Sequence, residues 1–276
     1  MSIRQVWYRW LVVAGLLGCN WAATAALATT LDDLIHAAHQ GDVSAQFDLG
    51  VLYEQGSDGQ GLEVTPNYQE ALQWYRTVSD RGYTGVKVLV GMMHESGRYD
   101  AAGPGILQDY AEAMKWYRSA ADQGNRSAQF MVGNLYDNGH GVPQDRKEAI
   151  KWYRLAADRG NASAQYTLGN RYHTGQFVPQ NYTEAMRLYR LAADQGLAKA
   201  QYSLGLLYWE DLGKGLPHDL VQAYMWLNLA ESQNTSESTL IRMDRERLAR
   251  TMLPSKIRQA QELAHNWKPN VVIDQR

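Results

Sequence analysis

The chain has 276 residues, 45% of them hydrophobic and 20% charged, with a formal net charge of −2 at pH 7. That length and apolar fraction suit a folded globular protein, while the slight negative charge and the lack of a basic patch with interleaved aromatics exclude nucleic acid as partner. A single cysteine, Cys19, rules out a disulfide framework, so stability must rest on packing.

The first 28 residues stand apart. Arg4 and Arg9 precede an apolar stretch from Trp10 to Gly18, and small residues close the segment at Ala26-Leu27-Ala28, the three-part plan of a secretory signal. Asn20 interrupts the apolar run short of what a membrane span needs. One expectation is a signal peptide over 1–28, cleaved after Ala28. The other rests on Leu16-Leu17-Gly18-Cys19, which resembles a bacterial lipobox and implies lipidation at Cys19. Either outcome exports the rest to the periplasm or cell envelope, with membrane contact only through the signal or a lipid anchor. Loss of Arg4 and Arg9 would make the exported chain two units more negative.

Five copies of one pattern follow. Aligned on an internal glycine, their first blocks are Ala45–Tyr53, Val86–His94, Ala128–Tyr136, Ala164–Tyr172 and Ala200–Tyr208, each followed by a second block of the type Glu112–Gly124 or Glu148–Gly160. The block-ending Gly82, Gly124, Gly160 and Gly196 are 42, 36 and 36 residues apart, a period that marks a solenoid. In chain order, the pattern predicts helices near 31–39, 42–54, 67–80, 83–95, 109–122, 125–137, 145–158, 161–173, 181–194, 197–209 and 219–232, then capping helices near 237–252 and 255–266.

In the fourth first block, Ala164, Leu168 and Tyr172 fall at i, i+4 and i+8 and share a face. Gly50, Gly91, Gly133, Gly169 and Gly205 recur beside that face, although a mid-helix glycine costs about 1 kcal/mol relative to alanine. The expectation is a second helix backbone passing too close for a side chain. The second blocks open on Asn67…Glu70, Asp109…Glu112, Asp145…Glu148, Asn181…Glu184 and Asp219…Gln222, the spacing of a reciprocal capping box. The Gly-rich insertions "GSDGQGLEVTP" and "GRYDAAGPGI" of the first two copies are read as hairpin loops projecting from one edge. Asn125, Asn161, Asn181 and Asn234 form N-x-S/T sequons that follow from the repeat's own cap positions.

One such hairpin cannot bury both helix faces and must stack on its neighbours. The fold expected is all-α: a right-handed α-α superhelical solenoid of about five helical-hairpin repeats with C-terminal capping helices. The repeats fill 29–235, at about 37–80, 81–122, 123–158, 159–194 and 195–235, and the capping helices and tail fill 236–276.

The pattern AxxxLGxxYxxG…D/NxxEAxxWYRxAAdqG resembles the Sel-one-like repeat family, a branch of the tetratricopeptide-like helical repeats, over about Ala37 to Ala230. That resemblance implies an adaptor that binds proteins rather than an enzyme. The second copy departs from it, with Val86-Lys87 for Ala-Gln and His94 for Tyr. Cys-rich relatives linked to β-lactams suggest an alternative, an enzyme-like envelope protein acting on peptidoglycan or β-lactams, although no Cys lies within these repeats.

No H-E-x-x-H, S-x-x-K, G-x-S-x-G, Walker or dinucleotide pattern occurs, so no catalytic residue and no cofactor is expected. His36 and His39 have ligand-like spacing but no acidic or Cys partners, and Asp58 and Asp100 read as turn residues, so no metal is expected. The resemblance implies a groove lined by first-helix residues three before, one after and four after the glycine. Three before are Phe47, Val88, Phe130, Tyr166 and Tyr202; one after are Val51, Met92, Asn134, Asn170 and Leu206; at the rim are Glu54, Glu95, Asp137, His173 and Trp209. Amide side chains among apolar neighbours suit an extended peptide backbone, and the rim acids suit a basic segment. The aromatic row could instead only pack the repeats.

Overall fold

The computed structural model describes residues 30–59, 61–100, 103–210, 216 and 218–270. The expected signal peptide, with Cys19, lies outside the described residues. Within them are thirteen helices: α1 Leu31–His39, α2 Val43–Gln55, α3 Tyr68–Ser79, α4 Thr84–Ser96, α5 Tyr110–Ala121, α6 Arg126–Asn138, α7 Arg146–Asp158, α8 Ala162–Thr174, α9 Tyr182–Asp194, α10 Ala198–Trp209, α11 Leu220–Ser232, α12 Ser238–Ala249 and α13 Pro254–Asn266. Their ends fall within one to three residues of the positions expected from the sequence. The chain forms two compact units, one with α1–α6 and the other with α7–α13.

Local chemistry sets the boundaries. Asn67, Asp109, Asn181 and Asp219 cap their helices, each side chain accepting from a backbone N–H two or three residues on. Asn125 and Asn161 cap α6 and α8, and Asn234 takes a left-handed φ of 48° where the preceding copies have the block-ending glycine. The reciprocal half of the capping box does not form. Instead each cap's own N–H donates to a carbonyl at the end of the preceding helix: Asn67 to Tyr53, Asp109 to His94, Asp145 to Tyr136, Asn181 to Tyr172 and Asp219 to Tyr208, at 2.8–3.1 Å. The acids freed by this hold other partners. Glu112 takes Lys115 and the Trp116 indole, Glu148 takes Lys151 and Trp152, and Glu184 holds Arg187 by two bonds.

In the first unit, α2 pairs with α3 and α4 with α5, over a core that includes Phe47, Leu72, Tyr75, Val78, Val90 and Met93. The glycines show what their absent side chains permit. A Cβ on Gly50 would lie 2.5 Å from the Tyr75 ring, and one on Gly91 equally close to Tyr117. The close approach is thus a tyrosine ring of the paired helix, not its backbone. The second insertion is not all loop: Arg98–Asp100 and Gly103–Ile106 form an antiparallel pair, β1 and β2. Ile106 is buried, and the Gly105 carbonyl accepts from Gln69 Nε2, so this hairpin folds back on α3. In the first insertion, Asp58 Oδ1 accepts from the N–H groups of Gly61 and Leu62 at 3.0 Å, the role of a turn residue.

In the second unit, α7 pairs with α8, α8 with α9, α9 with α10 and α10 with α11; α12 and α13 both pack on α11. A Cβ on Gly169 would meet the Tyr189 ring at 2.7 Å, and one on Gly205 would meet Leu227 at 3.0 Å. Trp226, Leu227, Ile241 and Leu248 are fully or almost fully buried beneath the capping helices.

Two further devices recur. The buried Gln46, Gln129, Gln165 and Gln201 each donate Nε2 to a carbonyl in the last turn of the helix before: Ala38, Ala121, Ala157 and Ala193, at 2.9–3.2 Å. Each of those carbonyls also accepts from the N–H of the glycine three residues on, at 2.9–3.1 Å, and the glutamine takes its second lone pair, which stitches consecutive helices together. In addition, arginines on second helices reach the residue eighteen positions on: Arg76 to His94 Nε2, Arg154 to the Tyr172 hydroxyl and Arg190 to the Tyr208 hydroxyl, at 3.1–3.3 Å. His94 therefore keeps the contact tyrosine makes elsewhere, and the divergent second copy packs as its neighbours do.

Candidate protein-binding surface

Residues three before, one after and four after each glycine stand at i, i+4 and i+7 on one helix, hence on one face. In the first unit that face is partly closed. Phe47 and Val88 are buried, Phe47 with its ring centroid 5.6 Å from that of Tyr75. Glu54 is buried and accepts from the Tyr75 hydroxyl at 2.9 Å, and half-buried Glu95 accepts from Tyr117 at 2.5 Å. Burial, then the hydrogen bond to Glu95 and its charge, pushes the Tyr117 hydroxyl far above its usual range, which keeps it a donor. Val51, Met92, Phe130, Asn134 and Asp137 are half-buried.

All six expected residues of the second unit are half-buried. Tyr166 lies 5.8 Å from Tyr189, whose hydroxyl donates to Asn170 Oδ1 at 2.5 Å and stands 3.4 Å from His173 Nδ1. The Tyr202 hydroxyl donates to Asp244 Oδ2 at 2.6 Å, and the Arg247 guanidinium lies 5.4 Å from the Trp209 ring centre. Helix α12 thereby extends this face with Asp244 and Arg247, which the sequence pattern missed because the capping helices do not share the repeat. Leu206 completes a strip of aromatic and apolar groups interrupted by an amide and a carboxylate. Such a strip can hold a polypeptide backbone and its side chains. Among the described residues, no group of three or more His, Cys, Asp or Glu is arranged to hold a metal ion. No helix among them is long and apolar enough to cross a membrane.

Stacked helical hairpins presenting one face of every first helix define the chain as an all-α repeat scaffold. The Sel1 repeat pattern matches residues 43–83, 88–125, 126–161, 162–197 and 198–234, and the chain belongs to the Sel1 repeat family. Repeats of this family generally mediate protein–protein interaction. The structure is similar to c5321, a protective antigen of uropathogenic Escherichia coli strains displaying an SLR fold, at a TM-score of 0.68 and 30% identity over 86% of this chain. This chain covers 47% of that antigen, about half its length. A Sel1 repeat protein from Oxalobacter formigenes is similar at a TM-score of 0.64 and 25% identity, over 87% of this chain and 100% of that one. No curated protein matches the chain.

Proposed function

We propose that the protein is an exported interaction scaffold that captures a segment of a partner protein along the exposed face of its first helices. The supporting observation is the strip in the second unit, where half-open Tyr166, Tyr202, Leu206 and Trp209 surround the Asn170 amide and the Asp244 carboxylate. Apolar patches of this kind hold side chains, while amide and carboxylate groups pair with backbone N–H groups. In the first unit, Glu95 and Asp137 favour a basic segment. Export rests on the Arg-apolar-small plan of the first 28 residues.

Crosslinking in the native envelope, followed by affinity measurement with the partner recovered, tests the binding face. Leu206→Ser and Met92→Ser should each weaken binding at least tenfold, while Leu240→Ser, on α12 and exposed, should leave it unchanged. Unaltered affinity in both face variants would make the row purely structural. The mass of the natural N-terminus tests export: a chain beginning at Met1 or Ser2 in the cytosol would end that part of the proposal.

A further inference from the structure

The repeats neutralise many of their own cations. Lys115 pairs with Glu112, Lys151 with Glu148, Arg187 with Glu184 and Arg190 with Asp194, each within one turn of the same helix, at 2.7–3.3 Å. Residues 31–237 carry seventeen Lys and Arg against twenty-five Asp and Glu. The cap inverts this balance, with seven against three over 238–270. Of its charged groups, Asp244 is held by the Tyr202 hydroxyl and Arg245 pairs with Glu231 at 2.6 Å. Arg242, Arg250 and Lys256 are exposed, and among the described residues none of them forms an ion pair. Glu246 lies one turn from both Arg242 and Arg250 and pairs with neither. Beside these cations stand the two most exposed large apolar side chains of the cap, Met243 at 60% and Leu253 at 69%.

We propose that this face of the cap docks on an anionic lipid bilayer, with Met243 and Leu253 entering the headgroup region and Arg242, Arg250 and Lys256 set against lipid phosphates. Met243 and Arg250 stand at i and i+7 and share the outer face of α12, opposite the buried Ile241 and Leu248. Leu253 and Lys256 continue that face through the turn into α13. The inner face of α12 is packed on α11, so the docking groups are presented ready-ordered and little entropy is lost on contact. Charge sets the sign of the partner: unpaired guanidinium and ammonium groups seek anions. Projection sets its kind. Side chains more than half exposed on an outer helix face line no recess of the sort that grips a polypeptide, whereas a bilayer receives projecting apolar groups. Each basic group at such a surface is worth about fivefold in binding, and salt screens the attraction.

The test uses the full chain with Cys19→Ser, which removes its single thiol. An environment-sensitive fluorophore is attached at Met243→Cys or, for reference, at Leu155→Cys on α7, 42% exposed. Vesicles of mixed phosphatidylglycerol and phosphatidylcholine should blue-shift the label at position 243 and leave that at 155 unchanged; phosphatidylcholine alone should shift neither. The N-terminal segment is common to both chains, so a difference between the labels belongs to the cap. Changing Arg242, Arg250 and Lys256 together to Gln should raise the lipid needed for half the shift at least tenfold. The same change at the exposed Lys115, Lys147 and Lys151 of the repeats, equal in net charge, should leave it within about twofold. All these positions are on the surface, where such substitutions leave a protein folded. Equal shifts at the two labels, no shift at 243, or equal effects of the two triple changes overturn the proposal. So does a shift with polyglutamate and none with vesicles, which would make the partner an acidic polypeptide.

Discussion

Gly169 and Tyr189 act as one unit, because the ring occupies the space a Cβ would need. Gly169→Ala would normally stabilise a helix by about 1 kcal/mol. Here the methyl would stand 2.7 Å from the ring, and overpacking of this kind costs about 1–3 kcal/mol. The expected outcome is a net loss and a lower midpoint in thermal unfolding; a midpoint raised by the substitution would show that the ring moves aside freely. Asp48 of α2 carries the opposite kind of tension. Burial, then the charges of Asp42 and Asp58, lifts its carboxyl from 3.8 to about 7. With the folded-state value raised, its contribution to stability is complete below pH 4 and is lost as pH rises through about 7. Asp48→Asn should therefore stabilise the protein at pH 8, on the order of 1–2 kcal/mol after allowing for the water that still reaches it, and little at pH 4. Urea unfolding at the two pH values checks this.

Element ends were legible in the sequence because a cap is a local signal: Asn67, Asp109, Asn181 and Asp219 needed only their own next turn. What those ends bond to was not legible. The cap N–H could pair with a glutamate three residues on or with a carbonyl across the hairpin loop, and only tertiary packing chooses. The same holds for the ring over Gly50, Gly91 and Gly169 and for Ile106, whose burial on α3 turns a Gly-rich stretch into strands. The recurring Gln46, Gln129, Gln165 and Gln201 were visible in the sequence, but their role requires knowing which carbonyl lies beside them. Gln201→Ala should cost about 1–3 kcal/mol, the net worth of the two buried hydrogen bonds it removes, although the Ala193 carbonyl keeps the Gly196 N–H and the Gln233 amide keeps the Gly196 carbonyl. Chemical denaturation measures it, and a loss below about 0.5 kcal/mol would make the stitch dispensable. His94 supplies a pH signature. Burial, then Arg76, holds its imidazole below the ordinary value of 6.5. Stability is intact above that value and falls as pH drops below it, since the unfolded chain takes the proton more readily. His94→Tyr should flatten this dependence between pH 7 and 5, read as the difference in denaturation midpoint from the natural chain.

At the scale of the molecule, the capping helices carry the end of the array. Trp226, Leu227 and Ala230 are fully buried with α12 and α13 packed on α11, and a terminal repeat without a cap is insoluble or frayed. Removing 236–276 should expose these residues, lower the unfolding midpoint and shift the protein to aggregates on size exclusion; a monomer of unchanged midpoint would contradict this. The fold class was plain from the 36-residue period; which residues of the proposed face stay open was not, because burial of Phe47, Val88 and Glu54 and the addition of Asp244 and Arg247 depend on packing that no repeat unit encodes.

The bond from each cap N–H to the end of the preceding helix is made whether the segment between is long or short. Tyr53 and Asn67 are 14 positions apart, His94 and Asp109 are 15, and Tyr172 and Asn181 are 9, yet all three pairs close at 2.8–2.9 Å. Lengthening a loop costs little entropy, about 0.6 kcal/mol per doubling. Each hairpin turn is therefore an insertion port. Foreign sequence can enter there without shifting the register of any helix, and lineages of such proteins can diverge at these points while the stack they hang from stays constant.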